Sequence, residues 1–265
     1  MSVRIWGSLP KDTYGINYRG KHSGKDFDMW LTKSPMDFLV ESVDSIEDRP
    51  VADGMVDFGA SLSARAFEFE FVIRAKNEAE LRNKRRAIAA WLTPTKGLST
   101  LWWDLEPDKY YTARRYSGAQ NIEMEARQGK FTLEMIAPDP FAYDRNEEPV
   151  SFTSAGESSI ENKGTEVSYP YVEITGTNTS GSIQITLADQ LMEYKGSLND
   201  TEKVVIDYDD MTVYKEASNG IRTNELNNTN NNFTTLPMGS STVKVAVTGD
   251  ASIGQITIKP RSRWY

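Results

Sequence analysis

The sequence predicts a mainly β chain of two domains with a single long helix. Three observations carry that prediction. Apolar and polar residues alternate at period two in segment after segment, the signature of strands with one buried face. Helical spacing shows convincingly in one stretch only. The 265 residues exceed what one domain usually takes, which is roughly 100 to 200. Two domains are therefore expected, 1–145 with the helix at about 78–92 and 146–265 as an antiparallel β-sandwich.

Composition supports folding and narrows the function. Hydrophobic residues at 38% and aromatic residues at 11% supply two cores, where a disordered chain would be poorer in both. There is no cysteine, which removes disulfides, thiolate metal sites and a cysteine nucleophile. The opening MSVRIWGSLPKD lacks the apolar core of a signal peptide, and no stretch approaches the roughly 20 apolar residues of a membrane span. A soluble chain made in a cytoplasm, without membrane partners, is the expectation. The net charge of −8 makes DNA or RNA a poor partner, because neutralising phosphate drives most nucleic-acid affinity.

In the first domain, FEFEFVIR places Phe67, Phe69, Phe71 and Ile73 on one face against Glu68, Glu70, Val72 and Arg74. Ile122, Met124 and Ala126 repeat the rhythm, as do Phe131, Leu133 and Met135, and Gly129 between the two runs suggests a hairpin turn. The helix begins after Asn77, whose amide can cap free N–H groups, with Glu80 three residues on to reciprocate. Leu81, Ile88, Trp91 and Leu92 share its buried face, and Pro94 ends it. Arg82, Lys84, Arg85 and Arg86 read as the solvated face of a helix packed on a sheet, in preference to an anion site.

After Asp144 the chain turns polar in RNEEPVSFTSAGESSIENKGTE, the expected boundary. Strand signals follow at Tyr171–Ile174, Ile183/Ile185/Leu187, Val204–Tyr208, Met211–Tyr214, Val243/Val245/Val247 and Ile256/Ile258, a spacing suited to a sandwich. Asp209 and Asp210 should form the turn of the hairpin in VVIDYDDMTVYK, since aspartate tolerates positive φ. The asparagine-rich stretch 224–233 is too polar to bury and should be an exposed loop.

Chemistry is scarce. His22, the sole histidine, lies in the Gly-flanked RGKHSGKD, where a solvated turn residue is the expectation and a Ser-His-Asp base a remote alternative. Asp207, Asp209 and Asp210 lack the glycine and distal glutamate of a calcium loop. No GxxxxGK[ST] phosphate loop occurs. Acidic residues number 38, so a suitably spaced pair for glycoside hydrolysis is guaranteed by abundance and carries no signal. Trp102, Trp103, Tyr110 and Tyr111 could stack on sugars, but alternating aromatics are more often core or interface anchors. No catalytic, cofactor-binding or metal-ligating residue is assigned, and no cofactor is expected.

In order and spacing, six strings resemble the distal tail (Dit) proteins of phages with long, non-contractile tails. They are INYRGKHSGKDF (16–27), EPDKYYTAR (106–114), DPFAY (139–143), NKGTEVSYPYVEITG (162–176), IDYDDMTVYK (206–215) and the terminal ITIKPRSRWY (256–265). The resemblance implies an N-terminal β domain with one helix that forms a ring, usually a hexamer and in places a stacked pair, followed by a galectin-like β-sandwich. It also implies a structural role without catalysis, as the baseplate hub at the virion's tail tip, assembled in the host cytoplasm. The implied partners are other copies of the chain, the tail tube protein, a tail-associated lysin or tail-fibre protein, and receptor-binding proteins. The alternative is a carbohydrate-binding module adhering to the host cell wall. Galectin sugar sites use a histidine and a stacking tryptophan, whereas residues 146–265 hold no histidine and only Trp264, so protein docking is preferred.

Overall fold

A computed structural model of the chain describes residues 14–35, 39–116, 123–125 and 128–265. They divide into two compact units, Met1–Arg145 with Tyr265, and Asn146–Trp264. The fold class is the one expected: mainly β, antiparallel throughout, with one long helix.

The first unit runs β1 (Ile16–Tyr18), β2 (Lys21–His22), α1 (Ser23–Phe27), β3 (Met29–Lys33), β4 (Ser42–Asp48), β5 (Met55–Leu62), β6 (Arg65–Arg74) and α2 (Glu78–Trp91). It continues with β7 (Ser99–Trp103), β8 (Glu106–Arg115), β9 (Glu123–Glu125), β10 (Gln128–Ala137) and β11 (Ala142–Asp144). Its main sheet has the order β2-β1-β7-β8-β10-β6-β3, with β9 added beside β10 and β11 beside β8. The sheet curls on itself. Phe67 and Phe69 of β6 meet the Trp103 ring of β7 at 5.7 and 5.5 Å although those strands share no ladder. The alternation read in FEFEFVIR holds: Phe67, Phe69, Phe71 and Ile73 are all buried, and β6 pairs β10 residue for residue from Arg65↔Ala137 to Arg74↔Gln128.

The β9–β10 hairpin exists, but Gly129 lies inside β10 opposite Met124 and is not its turn residue. Ile122 and Ala126 of the expected alternation lie outside the described residues.

Helix α2 lies where expected. Asn77 Oδ1 accepts from Glu80 N at 2.9 Å. The return bond of the capping box moves back one residue, Glu80 Oε2 accepting from Lys76 N. Leu81, Ile88, Trp91 and Leu92 are buried, and Trp91 donates its indole N–H to Tyr18 O at 2.8 Å while stacking on Phe27 at 4.7 Å. At the other end, Arg19 donates to the carbonyls of Trp91, Thr93 and Gly97. A cation there satisfies free carbonyls and complements the helix dipole.

The second unit comprises β12 (Val150–Phe152), β13 (Gly156–Asn162), β14 (Tyr171–Thr177), β15 (Ser182–Leu187), β16 (Gln190–Tyr194) and β17 (Glu202–Asp207). It ends with β18 (Thr212–Ala217), β19 (Arg222–Asn224), β20 (Gly239–Thr248) and β21 (Ser252–Lys259). Two sheets, β12-β21-β14-β17-β18-β19 and β13-β20-β15-β16, enclose one apolar cluster. Val172, Ile174, Ile206 and Ile258 come from the first sheet, and Ile185, Leu187, Val243 and Val245 from the second. This is the expected sandwich. Strands β12 and β13 form within the polar stretch after Asp144 that marks the expected boundary. Their exposed Glu157, Ser158 and Glu161 show why: β13 is a sheet edge, where charge and polarity discourage pairing with other chains.

Candidate assembly surface

The residues that could have carried chemistry are committed to structure. His22 is not solvated but buried, 8% exposed, and caps α1. Its Nδ1 accepts from Gly24 N and Lys25 N at 3.0 and 3.1 Å, so Nε2 carries the proton and donates to Asp104 at 2.8 Å. Asp26 completes the turn by accepting from His22 N at 2.7 Å. The neighbouring Ser23 is buried and accepts from Ile16 N. Histidine, aspartate and serine are all nearby, yet their polar atoms hold backbone together. The packing is tight enough that a Cβ on Gly24 would sit 2.4 Å from the Trp30 ring.

Asp207 likewise closes a turn, its Oδ1 accepting from Asp209 N, Asp210 N and the Arg261 guanidinium at 3.0, 3.4 and 2.7 Å. The positive φ of that hairpin falls on Met211, at 50°, and not on Asp209 or Asp210. Trp103 and Tyr111 are stacked at 5.7 Å inside the first core, where burial raises the Tyr111 hydroxyl to about 12. Trp102 is covered by the Arg145 guanidinium at 3.4 Å, and Tyr110 tilts against Tyr143. The four aromatics form no open platform for a sugar ring.

The asparagine-rich stretch is largely exposed, as expected, but it is not idle. Asn230 and Asn232 donate to Leu191 O at 2.7 and 3.0 Å, and Asn230 Oδ1 accepts from Glu193 N. Side-chain amides thus occupy the free edge of β16 in place of a further strand, which protects it from foreign pairing. Beneath them Glu225 is buried and accepts from Tyr194 Oη and Asn228 Nδ2 at 3.2 and 2.6 Å.

Two surfaces of the first unit remain available for partners. One is a groove of about 580 Å³ beside α2, floored by Ile73, Ile88, Leu92, Phe131 and Leu133 and rimmed by Arg82, Arg85, Arg86 and Arg115. Of the four basic residues read on α2, Lys84 points elsewhere: it bridges Asp28 and Glu80, both at 3.0 Å, and donates to Arg74 O. The three arginines are solvent-exposed, as read, and they also rim an apolar cleft.

The other surface is the β4–β5 hairpin, a two-stranded sheet on its own. Every residue of β4, and every residue of β5 except the half-buried Val56, is exposed. Exposed apolar residues include Val43, Ile46, Met55 and Phe58, the last at 63%. Sequence reasoning passed over it, because the register slips between Asp44 and Ile46 and breaks the alternation. Gly59 stands opposite that slip with φ 98°. The legible signal was the pair of turn residues, Pro50 and Gly54, between two β-branched segments.

Residues 31–137 match the family model described as phage tail protein RIFT-related domain. No curated protein sequence matches the chain significantly. Among solved structures, the Dit protein (gp 19.1) of phage SPP1, described as a paradigm of hub adsorption apparatus in phages infecting Gram-positive hosts, superposes with a TM-score of 0.70. The match covers 93% of this chain and 98% of that one at 15% identity. Two structures of the phage p2 baseplate in its activated conformation, with calcium and with strontium, give TM-scores of 0.56 and 0.54 at 10% identity, each covering 93% of this chain and 97% of the other. Over residues 31–137 the sequence matches a phage tail domain family, and over nearly its whole length the fold resembles that of the Dit hub proteins of phage tails.

Proposed function

We propose that this chain is the structural hub of a phage tail tip and works without catalysis. Residues 1–145 form the ring-building domain, six copies closing around an axis, and residues 146–265 form a galectin-like docking domain. The ring joins the tail tube protein to a tail-associated lysin or tail-fibre protein, and receptor-binding proteins dock on the outer domain. Assembly takes place in the host cytoplasm.

The observation that carries this reading is the match over 93% of the chain and 98% of SPP1 Dit. A shared module would cover only part of either chain, whereas here both units correspond. The residues that could have carried chemistry agree, since His22, Asp207, Trp103 and Tyr111 are spent on a cap, a turn and the core.

Light scattering on the purified chain across micromolar concentrations tests the reading. The expected mass is that of six chains or of a stacked pair of rings. A single-chain mass at every concentration, unchanged by adding tail tube protein, would contradict it.

A further inference from the structure

The outer edge of the second unit's larger sheet hangs on one turn, and that turn contains a reactive pair. We propose that Asn219–Gly220, between β18 and β19, is a self-modification site: it closes to a cyclic imide, reopens as aspartate or isoaspartate, and in the isoaspartate form releases β19 from the sheet.

Asparagine occurs throughout the chain, but Asn219 alone precedes glycine. The imide forms when the backbone nitrogen of the following residue reaches the side-chain Cγ, an approach that a Cβ on that residue obstructs and glycine leaves open. Asn219 and Gly220 are both exposed, and even a Cβ built on Gly220 would meet nothing within 4 Å. Other asparagines are held. Asn162 and Asn178 are buried with their amides on backbone carbonyls, and Asn230 and Asn232 are tied to Leu191 O. Gly220 N does donate to Ala217 O at 2.8 Å, so the attack waits on opening of this turn. An exposed turn at a sheet edge is among the first parts of a fold to open.

The reaction needs water alone. Gly220 N sheds its proton and bonds to Asn219 Cγ, the Cγ–Nδ2 bond breaks, and that nitrogen leaves as ammonia. Water then opens the imide at either carbonyl. Opening at Cγ gives aspartate, which keeps the main chain and an acceptor for Ile221 N, the group that Asn219 Oδ1 receives at 3.0 Å. Opening at the main-chain carbonyl gives isoaspartate, which threads Cβ into the backbone. The turn is closed by Ala217 N donating to Ile221 O at 2.9 Å, and an added backbone atom puts these two out of register. Strand β19 has little else to hold it: all three residues are exposed, and they pair only as Tyr214↔Asn224, Lys215↔Thr223 and Glu216↔Arg222. Its release would bare the edge of β18 to pairing with other chains.

The full-length folded protein is aged at alkaline and at mildly acidic pH, digested, and its asparagine peptides are weighed and separated. Asn219→Gln and Asn219→Asp serve as controls. Position must be read from peptides, because Asp53–Gly54 reaches the same imide by losing water, with no net change in mass. The expected result is conversion at Asn219 at least tenfold above any other asparagine, faster at alkaline pH because the attacking nitrogen must lose its proton, with isoaspartate among the products. Hydrogen exchange should show protection over Arg222–Asn224 lost in proportion to the isoaspartate, while both control variants keep it. Conversion absent from Asn219, or spread evenly over the asparagines, would overturn the site. Isoaspartate at 219 with β19 still protected would overturn the release.

Discussion

At the scale of single residues, the polar side chains singled out in the sequence hold backbone in place. His22 shows it best: one ring nitrogen caps α1 and the other reaches Asp104. His22→Ala removes the acceptor for two backbone N–H groups, and losing a helix cap costs about 1 kcal/mol, up to about 2. We expect a lower midpoint in urea, and His22→Asn, which keeps an acceptor for the cap but cannot span to Asp104, should fall between. A His22→Ala protein as stable as the parent would refute the capping role. Two buried tyrosines of the second unit make a matched pair. Tyr194 donates to Glu225 and Ser197 O, and the ionised phenolate is disfavoured by burial and by the Glu225 charge. The Tyr208 hydroxyl is buried with no partner among the described residues. Tyr194→Phe leaves Glu225 short of a donor and should cost about 1 to 3 kcal/mol, whereas Tyr208→Phe removes an unpaired hydroxyl and should be neutral or stabilising. Thermal melts of both variants check this, and equal losses would contradict it. The cap made by His22 is local, but the other partners could not be read from the sequence, because they are far apart along the chain: His22 and Asp104 are 82 positions apart, Tyr194 and Glu225 are 31.

At the scale of elements, what was legible came from local rules. Asn77 capping α2, the buried stripe from Leu81 to Leu92 and the alternation through Phe67–Ile73 need only neighbours in sequence. What was not legible depends on placement in the sheet. Strand β13 is polar because it is an edge, and β4–β5 loses its period at a register slip. Arg82, Arg85 and Arg86 looked like any solvated face, since nothing local reveals the apolar floor that β6 and β10 bring beside them. The joint between α1 and α2 yields a pH prediction. Asp28, at the C-cap of α1, feels burial, which would raise its pKa. The Trp30 indole N–H at 2.8 Å and the Lys84 ammonium at 3.0 Å outweigh that and hold it below the usual carboxylate range. A folded-state value below the unfolded one stabilises at pH above about 4, and the contribution disappears as pH falls through the unfolded and then the folded value. The parent should therefore exceed Asp28→Asn in stability at pH 7 and lose that margin by about pH 3, as read from urea midpoints. A margin independent of pH would remove the ion pair from the account.

At the scale of the whole molecule, both units are antiparallel β structures whose cores absorb the large aromatics and whose open edges are managed by polar strands and asparagine amides. The mainly β, antiparallel architecture was readable because the period of the apolar residues reports it directly. The assembly surfaces were not, since interface positions resemble ordinary surface until a fold brings them together. The central claim, that the chain builds a closed ring, is tested most directly by negative-stain images of the full-length protein. Circular particles with a central hole and six repeats around it are the predicted result. Separate particles of single-chain size, at every concentration and with tail tube protein present, would contradict it.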